Sequence, residues 1–235
     1  MKTVIIYGIE HKGSTYNVVQ LFKKQLNIRD DDLIEFFLPK DLPHFCIGCC
    51  NCFMKGEELC PHREYVTPIK EAIWNADLII LASPVYVFHV TGQMKALLDH
   101  FAFQFMAHRP NKSMFSKTVL AVSIAAGGGI SSAIKDMTGS LTYWGISRIF
   151  TFGSAVYAAK WEDVTEKNKH KIERKVKKLS SKIKSKIHKT NPGLKTKGLF
   201  YLFRMIQKKM ELIPYDREYW KKQGWLEKNR PWKTK

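Results

Sequence analysis

The sequence predicts an α/β fold in which five parallel strands form one doubly wound sheet with helices on both faces. Short apolar segments of strand length alternate with longer segments whose apolar residues recur at helical spacing. This alternation indicates a parallel sheet. Because crossover connections between parallel strands are right-handed, the strand order is expected to be 2-1-3-4-5. The composition agrees, because 235 residues with 45% hydrophobic content can bury one such domain and support an additional segment.

Each element of this fold is predicted from its residue pattern. The third strand is uniformly apolar, which is typical of a central strand buried on both faces. The last helix, over 163–189, is expected to begin with Asp163 and Glu166 as a capping box. The five strands are predicted at 3–7, 32–38, 77–82, 118–124 and 146–152. The first helix is predicted to follow Ser14, with Val18, Val19, Phe22 and Leu26 as its apolar pattern. Later helices are predicted at 66–74, 91–105 and 131–143, and a long loop is predicted at 39–61.

The segment that follows the first strand has the properties of an anion site. Gly8 ends the strand, and a polar loop leads to Ser14, a residue type that favours the N-cap of a helix. Free N–H groups and the helix dipole attract a phosphate at such a position, and His11 and Lys12 add positive charge. The sequence contains neither the dinucleotide glycine pattern nor a Walker motif here. The alternative is that Ser14 only caps a helix.

Three loops are expected at one edge of the sheet, since the carboxyl ends of parallel strands meet there. They follow the first, third and fourth strands, at 9–17, 84–88 and 125–129. Their small residues would let main-chain groups face a flat ligand such as a flavin, with Tyr86 or Phe88 near its face. Ordinary turn chemistry is the alternative explanation for Pro84 and the glycines.

Several short motifs occur together in this chain. They are Lys-Gly-Ser-Thr-Tyr-Asn at 12–17, Cys-Ile-Gly-Cys at 46–49, Ser-Pro-Val-Tyr-Val at 83–87, Gly-Gln-Met-Lys at 92–95 and Leu-Asp-His at 98–100. Over about residues 1–158 the chain therefore resembles the NADPH-dependent FMN reductase and iron–sulfur flavoprotein group of flavodoxin-like oxidoreductases. The resemblance implies a flavodoxin-like fold, an FMN cofactor, NAD(P)H as the co-substrate and a homodimer.

The resemblance also implies which residues bind FMN. The first loop would hold the phosphate, the second would cradle the isoalloxazine, and the third would flank the ring. Ile9 stands where many relatives have a serine, so one phosphate-binding hydroxyl is missing. No catalytic side chain is predicted, because hydride transfer to a flavin needs no protein acid or base. The implied residues are His11, Lys12, Ser14, Thr15, Tyr16 and Asn17, then Pro84, Val85, Tyr86, Val87 and Phe88, and finally Ala126, Gly127, Gly128 and Gly129.

All five cysteines lie in the long loop at 39–61. The spacing Cys46-x2-Cys49-x2-Cys52-x7-Cys60, followed by a proline, is similar to the bacterial ferredoxin motif and leaves Cys50 as an extra thiol. It suggests a 4Fe–4S cluster with Cys46, Cys49, Cys52 and Cys60 as ligands. A zinc site, a redox-active disulfide and unligated thiols remain open alternatives.

The positive charge of the chain lies mainly at its end. From Lys160 onwards there are 24 lysines and arginines but eight acidic residues, so the formal charge of this segment is +16 out of +18. We expect a domain at 1–158, a basic helix at 159–190 that completes it, and an amphipathic, aromatic extension at 191–235. The extension, with an apolar run at Leu199, Phe203, Ile206 and Met210, is expected to pack on the body or on a second subunit. Contact with anionic lipid or with nucleic acid is a less favoured alternative.

Taken together, the sequence predicts an NAD(P)H-dependent, FMN-containing oxidoreductase with an unknown electron acceptor. One alternative is an iron–sulfur flavoprotein that carries electrons to ferredoxin-like partners. Another is a basic interaction protein whose flavin reports redox state. A cytoplasmic location is expected, because the chain shows no secretory signal and no apolar stretch of bilayer length.

Overall fold

A computed structural model of the chain describes residues 1–187, 191–210 and 213–233. Five parallel strands form one sheet in the order β2-β1-β3-β4-β5, which confirms the predicted doubly wound fold. The strands are β1 Thr3–Tyr7, β2 Leu33–Phe37, β3 Leu78–Pro84, β4 Thr118–Ala125 and β5 Arg148–Ala155. The helices are α1 Ser14–Leu26, α2 Asn51–Met54, α3 Arg63–Asn75, α4 Gly92–His100, α5 Ile130–Tyr143, α6 Glu166–Lys184, α7 Leu194–Lys209 and α8 Pro214–Lys222.

The central strands supply core residues to both faces of the sheet. In β1 every residue is buried, and alternate side chains point to opposite faces. Val4 and Ile6 belong to the core beneath α3, α4 and α5, whereas Ile5 and Tyr7 belong to the core beneath α1 and α6. This double burial explains why β1, β3 and β4 have almost no polar residues.

Both predicted ends of α6, the helix that follows the last strand, are wrong. The capping box of Asp163 and Glu166 does not form, because Thr165 is the N-cap and its hydroxyl accepts the N–H of Asn168. Helix α6 ends at Lys184 rather than at 189, and residues 188–190 lie outside the described part of the chain.

Other boundaries differ by a few residues. Helix α4 ends at His100 and is followed by a 3₁₀ turn at Ala102–Gln104, where a helix to residue 105 was predicted. Strand β5 begins two residues later than predicted, at Arg148. The long cysteine loop contains the short helix α2 and a 3₁₀ turn at Glu57–Leu59.

The C-terminal extension packs on the body through a third apolar cluster. Phe200 of α7, Trp220 of α8 and Trp225 are buried against Phe115 and Met106 of the sheet domain. The Arg204 guanidinium also donates to three backbone carbonyls of the final segment. The extension is therefore part of the folded body. None of the described helices is long and apolar enough to span a bilayer.

The third cluster gives a direct stability test. Phe200→Ala removes a fully buried ring, and we expect the free energy of unfolding to fall by about 3–5 kcal/mol. Leu202→Ala, two residues away on the exposed face of α7, should change it by less than about 0.5 kcal/mol. Urea denaturation followed by tryptophan fluorescence measures both. Equal effects of the two substitutions would contradict this packing.

Candidate functional site

The carboxyl edge of the sheet contains a cavity of about 210 Å³. The loops after β1, β3 and β4 meet there, as the sequence predicts. The loop after β5 also lines the cavity, through Val156, Ala158 and Ala159, which sequence reasoning missed. The other lining residues are Ile9, His11, Gly13, Ser14, Thr15, Pro84, Val85, Tyr86, Ile124, Ala125 and Ala126.

Helix α1 begins at this cavity with free backbone donors. The N-cap is Gly13 and no side chain caps it, so the prediction that Ser14 is the N-cap is wrong. The first helical hydrogen bond runs from the N–H of Asn17 to the carbonyl of Gly13, 3.0 Å away. Within the described chain, the N–H groups of Ser14, Thr15 and Tyr16 therefore have no protein partner. Three free N–H groups and the hydroxyls of Ser14 and Thr15 fit a phosphate.

The other predicted residues of the first loop have separate contacts. The Lys12 Nζ lies 5.3 Å from the centre of the Tyr16 ring and 5.7 Å from that of Phe37, which places it outside the cavity lining. The Asn17 side-chain amide donates to the Gly13 carbonyl at 3.0 Å and so closes the helix start. His11 lines the cavity, and its ring lies against Gly13.

The second loop forms a tight turn with an unusual backbone. Tyr86 and His89 exchange backbone hydrogen bonds, and Val87 and Phe88 between them have φ angles of 47° and 66°. A β-branched residue rarely adopts positive φ, so the surrounding structure must hold this turn. Asp136 of α5 does so by accepting the N–H of Val90 and pairing with the His89 imidazole. Pro84, Val85 and Tyr86 line the cavity, whereas Val87 is 91% exposed at the tip.

A buried threonine joins the first loop to the second. The Thr91 hydroxyl donates to the Gly8 carbonyl at 2.6 Å and accepts the N–H of Met94, which caps α4. The Thr91 N–H in turn donates to the Ser83 hydroxyl at 3.0 Å. Gly8 has no room for a side chain, because a Cβ there would lie 2.8 Å from the Thr91 oxygen. Sequence reasoning missed this link between residues 83 positions apart.

The third loop packs closely against the second. Gly129 has a φ of 86°, and a Cβ on it would lie 2.6 Å from the Val85 side chain and 2.8 Å from the Cα of Phe88. Gly128 lies beside the Phe88 ring, whereas a Cβ on Gly127 would meet nothing within 4 Å. Of the predicted third-loop residues, Ala126 lines the cavity and the three glycines do not.

The predicted metal ligands converge on a second, smaller cavity. Cys46, Cys49, Cys52 and Cys60 all line a space of about 80 Å³, and all five thiols of the loop are free. Burial, together with the neighbouring thiols of Cys46 and Cys60, raises the pKa of Cys52 to about 11. Burial also raises the pKa of Cys60. A metal that binds here must therefore displace protons from these thiols.

Two histidines that the sequence did not indicate lie beside the last cysteine. The Nδ1 of His62 is 2.9 Å from the Nε2 of His100, and the His100 Nδ1 contacts the Ala96 carbonyl. Together with the Cys60 thiol they place three potential metal-ligand atoms within 4.8 Å of one another. Burial lowers the pKa of both imidazoles, which favours their neutral, ligand-competent form.

An arginine and the C-terminal extension hold the cysteine loop in place. The Arg109 guanidinium donates to the carbonyls of Cys52 and Phe53, and it also pairs with Glu57 and with Asp216 of α8. The Arg109 and Asp216 side chains are only 4% and 1% exposed. Sequence reasoning missed this ion pair because its partners are 107 residues apart.

The comparisons with known proteins agree with this geometry. Residues 1–163 match the family described as NADPH-dependent FMN reductase, and the chain belongs to that family. It is an oxidoreductase of a flavin-dependent, flavodoxin-like class that binds FMN.

Similar proteins include both sequence relatives and solved structures. An iron-sulfur flavoprotein of Archaeoglobus fulgidus is 26% identical over 96% of this chain and 100% of its own length. One of Clostridioides difficile is 30% identical over 57% of this chain and 60% of its own length. An FMN-dependent NADH-azoreductase from Bacillus anthracis shares the fold, with a TM-score of 0.60, 15% identity and coverage of 78% of this chain and 99% of its own.

The packing of the second and third loops generates a prediction. Gly129→Ala forces a Cβ into the Phe88 backbone at a positive φ, so it should displace the second loop and weaken FMN binding by at least roughly tenfold. Gly127→Ala, two residues away in open space, should leave FMN affinity within about twofold. Quenching of FMN fluorescence on titration measures both affinities. Equal affinities in the two variants would show that this contact does not shape the FMN site.

Proposed function

We propose that the chain is an NAD(P)H-dependent oxidoreductase that holds FMN in the cavity at the carboxyl edge of the sheet. The observation that carries the proposal is the uncapped start of α1, where three backbone N–H groups lack a protein partner beside the hydroxyls of Ser14 and Thr15. Such a start favours a phosphate monoester, whose oxygens can each accept a hydrogen bond. Membership of the FMN reductase family supports the same assignment.

The remaining loops would hold the ring of the cofactor. Val85 and Tyr86 line the cavity on one side, and Ala126 lines it on another. FMN supplies hydride chemistry when bound, and this chain's own residues bind it, orient it and tune its environment. Tyr86 is half exposed at the cavity mouth, which leaves room for a nicotinamide to approach.

The cysteine loop would hold a 4Fe–4S cluster that passes single electrons to an acceptor. Support comes from the cavity that all five cysteines line, from the ferredoxin-like spacing of four of them, and from relatives named iron-sulfur flavoproteins. Such a cluster would favour a one-electron acceptor. The free thiols would require a reducing compartment such as the cytoplasm.

The phosphate assignment predicts a loss of FMN affinity when the loop hydroxyls are removed. The double variant Ser14→Ala with Thr15→Ala should raise the FMN dissociation constant by at least about 100-fold, because each of the two hydrogen bonds to a charged group contributes about 1.5–3 kcal/mol. The matched control removes two exposed hydroxyls at the C-terminal end of α6, those of Ser181 and of the C-cap residue Ser185, in Ser181→Ala with Ser185→Ala. Fluorescence titration with FMN distinguishes them, and an unchanged constant in the first variant would refute the assignment.

The activity is tested with the FMN-loaded protein in the absence of oxygen. Addition of NADPH or NADH should bleach the flavin absorbance, while dithionite gives the fully reduced reference. Bleaching by dithionite but by neither nucleotide would refute the nicotinamide-dependent activity and favour an electron carrier instead.

The cluster assignment predicts that iron content depends on particular cysteines. Protein purified without oxygen should contain about four irons per chain, and Cys52→Ser should lose most of them. Cys50→Ser is the matched control, since Cys50 is outside the predicted ligand set although it lies in the same loop. Iron and acid-labile sulfide are assayed in both variants. Zinc in place of iron, or equal iron in the two variants, would contradict the assignment.

A further inference from the structure

A basic cleft is formed by the C-terminal extension and Lys112 of the sheet domain, and it shares no lining residue with the cavity of the FMN site. It has a volume of about 270 Å³. Four of its lining residues are cations, and no acidic side chain lines it. Within the described part of the chain none of the four cations forms an ion pair, so their charge is available to an external anion. The cations are Lys112, Lys228, Arg230 and Lys233.

Helix α7, which belongs to this extension, presents an apolar stripe to the solvent. Leu194 is 88% exposed, and Tyr201, Leu202 and Met205 are each nearly half exposed. Their positions, seven, eight and eleven residues after the first, lie on one face of a helix. The sequence predicted a different apolar run, at Leu199 and Phe203, but those two residues pack against the third apolar cluster.

The opposite face of α7 keeps the stripe in place. Phe200 is fully buried among the tryptophans of the third cluster, so the helix cannot rotate to hide its outer face. Leu202 and Met205 are therefore held on the outside of a packed helix.

The basic cleft and the apolar stripe meet at one residue pair. The Arg230 Nε donates to the Tyr201 hydroxyl at 3.3 Å, and its guanidinium lies 5.2 Å from the centre of the Tyr201 ring. The Lys197 Nζ lies 5.8 Å from the centre of the Trp232 ring, and that ring lies edge to face with the Tyr201 ring. Cations and apolar side chains thus form one continuous surface, which we call the lipid face and define by Leu194, Tyr201, Leu202, Met205, Lys112, Lys228, Arg230 and Lys233.

We propose that the lipid face docks the protein on the surface of an anionic phospholipid bilayer. The cleft would take the phosphate of a lipid headgroup, and the stripe would enter the boundary between headgroups and acyl chains. Charge complementarity supports this occupant, because α7 carries five lysines and arginines and no acidic residue, and the cleft adds four further cations. Nucleic acid could use the cations but has no apolar surface to match Leu194, Leu202 and Met205.

The test is cosedimentation of the full-length, FMN-loaded chain with phospholipid vesicles. The protein should pellet with vesicles of equimolar phosphatidylglycerol and phosphatidylcholine and stay in solution with phosphatidylcholine alone. Lys228→Gln with Lys233→Gln should lower the partition coefficient roughly 10- to 30-fold, since each cation near an anionic surface strengthens binding by roughly fivefold. Leu202→Ser with Met205→Ser should lower it at least roughly tenfold.

The matched control removes the same charge elsewhere. Lys171→Gln with Lys175→Gln changes two exposed lysines of α6, which packs on α1, and should lower vesicle binding much less than the cleft variant. Equal losses in the two charge variants would overturn the proposal that the lipid face docks on the bilayer, because net charge alone would then explain binding. Equal pelleting with phosphatidylcholine alone, or pelleting with neither vesicle, would also overturn it.

Two further results would assign the surface to a different occupant and overturn the proposal. One is release of the protein from vesicles by a single-stranded oligonucleotide or by inorganic phosphate at the same phosphorus concentration. The other is a dimer, seen by light scattering without lipid, that the Leu202→Ser with Met205→Ser variant abolishes. Vesicle binding that survives both competitors and requires the stripe supports the lipid face.

Discussion

The buried hydroxyl of Thr91 connects the loops on which the FMN site depends. It donates to the Gly8 carbonyl after β1 and caps α4, while the Thr91 backbone binds Ser83 at the end of β3. One side chain therefore fixes the spacing between the loop that would take the phosphate and the loop that would take the ring. The third loop follows from this arrangement, because Gly129 packs directly on Val85 of the second loop. A parallel sheet brings its strand ends together, but contacts of this kind give the cavity its shape.

The sequence was sufficient to predict the sheet and the position of the cavity. Apolar strand segments and helical periodicity are local signals, and the strand order follows from the handedness of the crossovers. The N-cap of α1 was predicted wrongly, because serine favours that position by residue type. In the structure Gly13 occupies it. The pairs Thr91 with Gly8 and Arg109 with Asp216 could not be predicted, since they join residues that only the folded chain brings together.

The C-terminal extension is connected to the cysteine loop through one arginine. Asp216 and Arg109 form an ion pair from which water is almost entirely excluded, and the same guanidinium holds the Cys52 carbonyl. Such a pair costs free energy to bury, so its value lies in defining one geometry rather than in adding stability. The inner face of the extension thus supports the cysteine loop, and its outer face provides the basic and apolar surface of α7.

Binding of FMN at this sheet edge is tested most directly by the amount of FMN that stays with the protein. The purified chain is incubated with excess FMN and passed through a gel-filtration column, and flavin and protein are quantified in the same fraction. We expect one FMN per chain, and we expect the Ser14→Ala and Thr15→Ala double variant to retain far less. A folded wild-type chain that emerges without flavin would show that this sheet edge does not hold FMN.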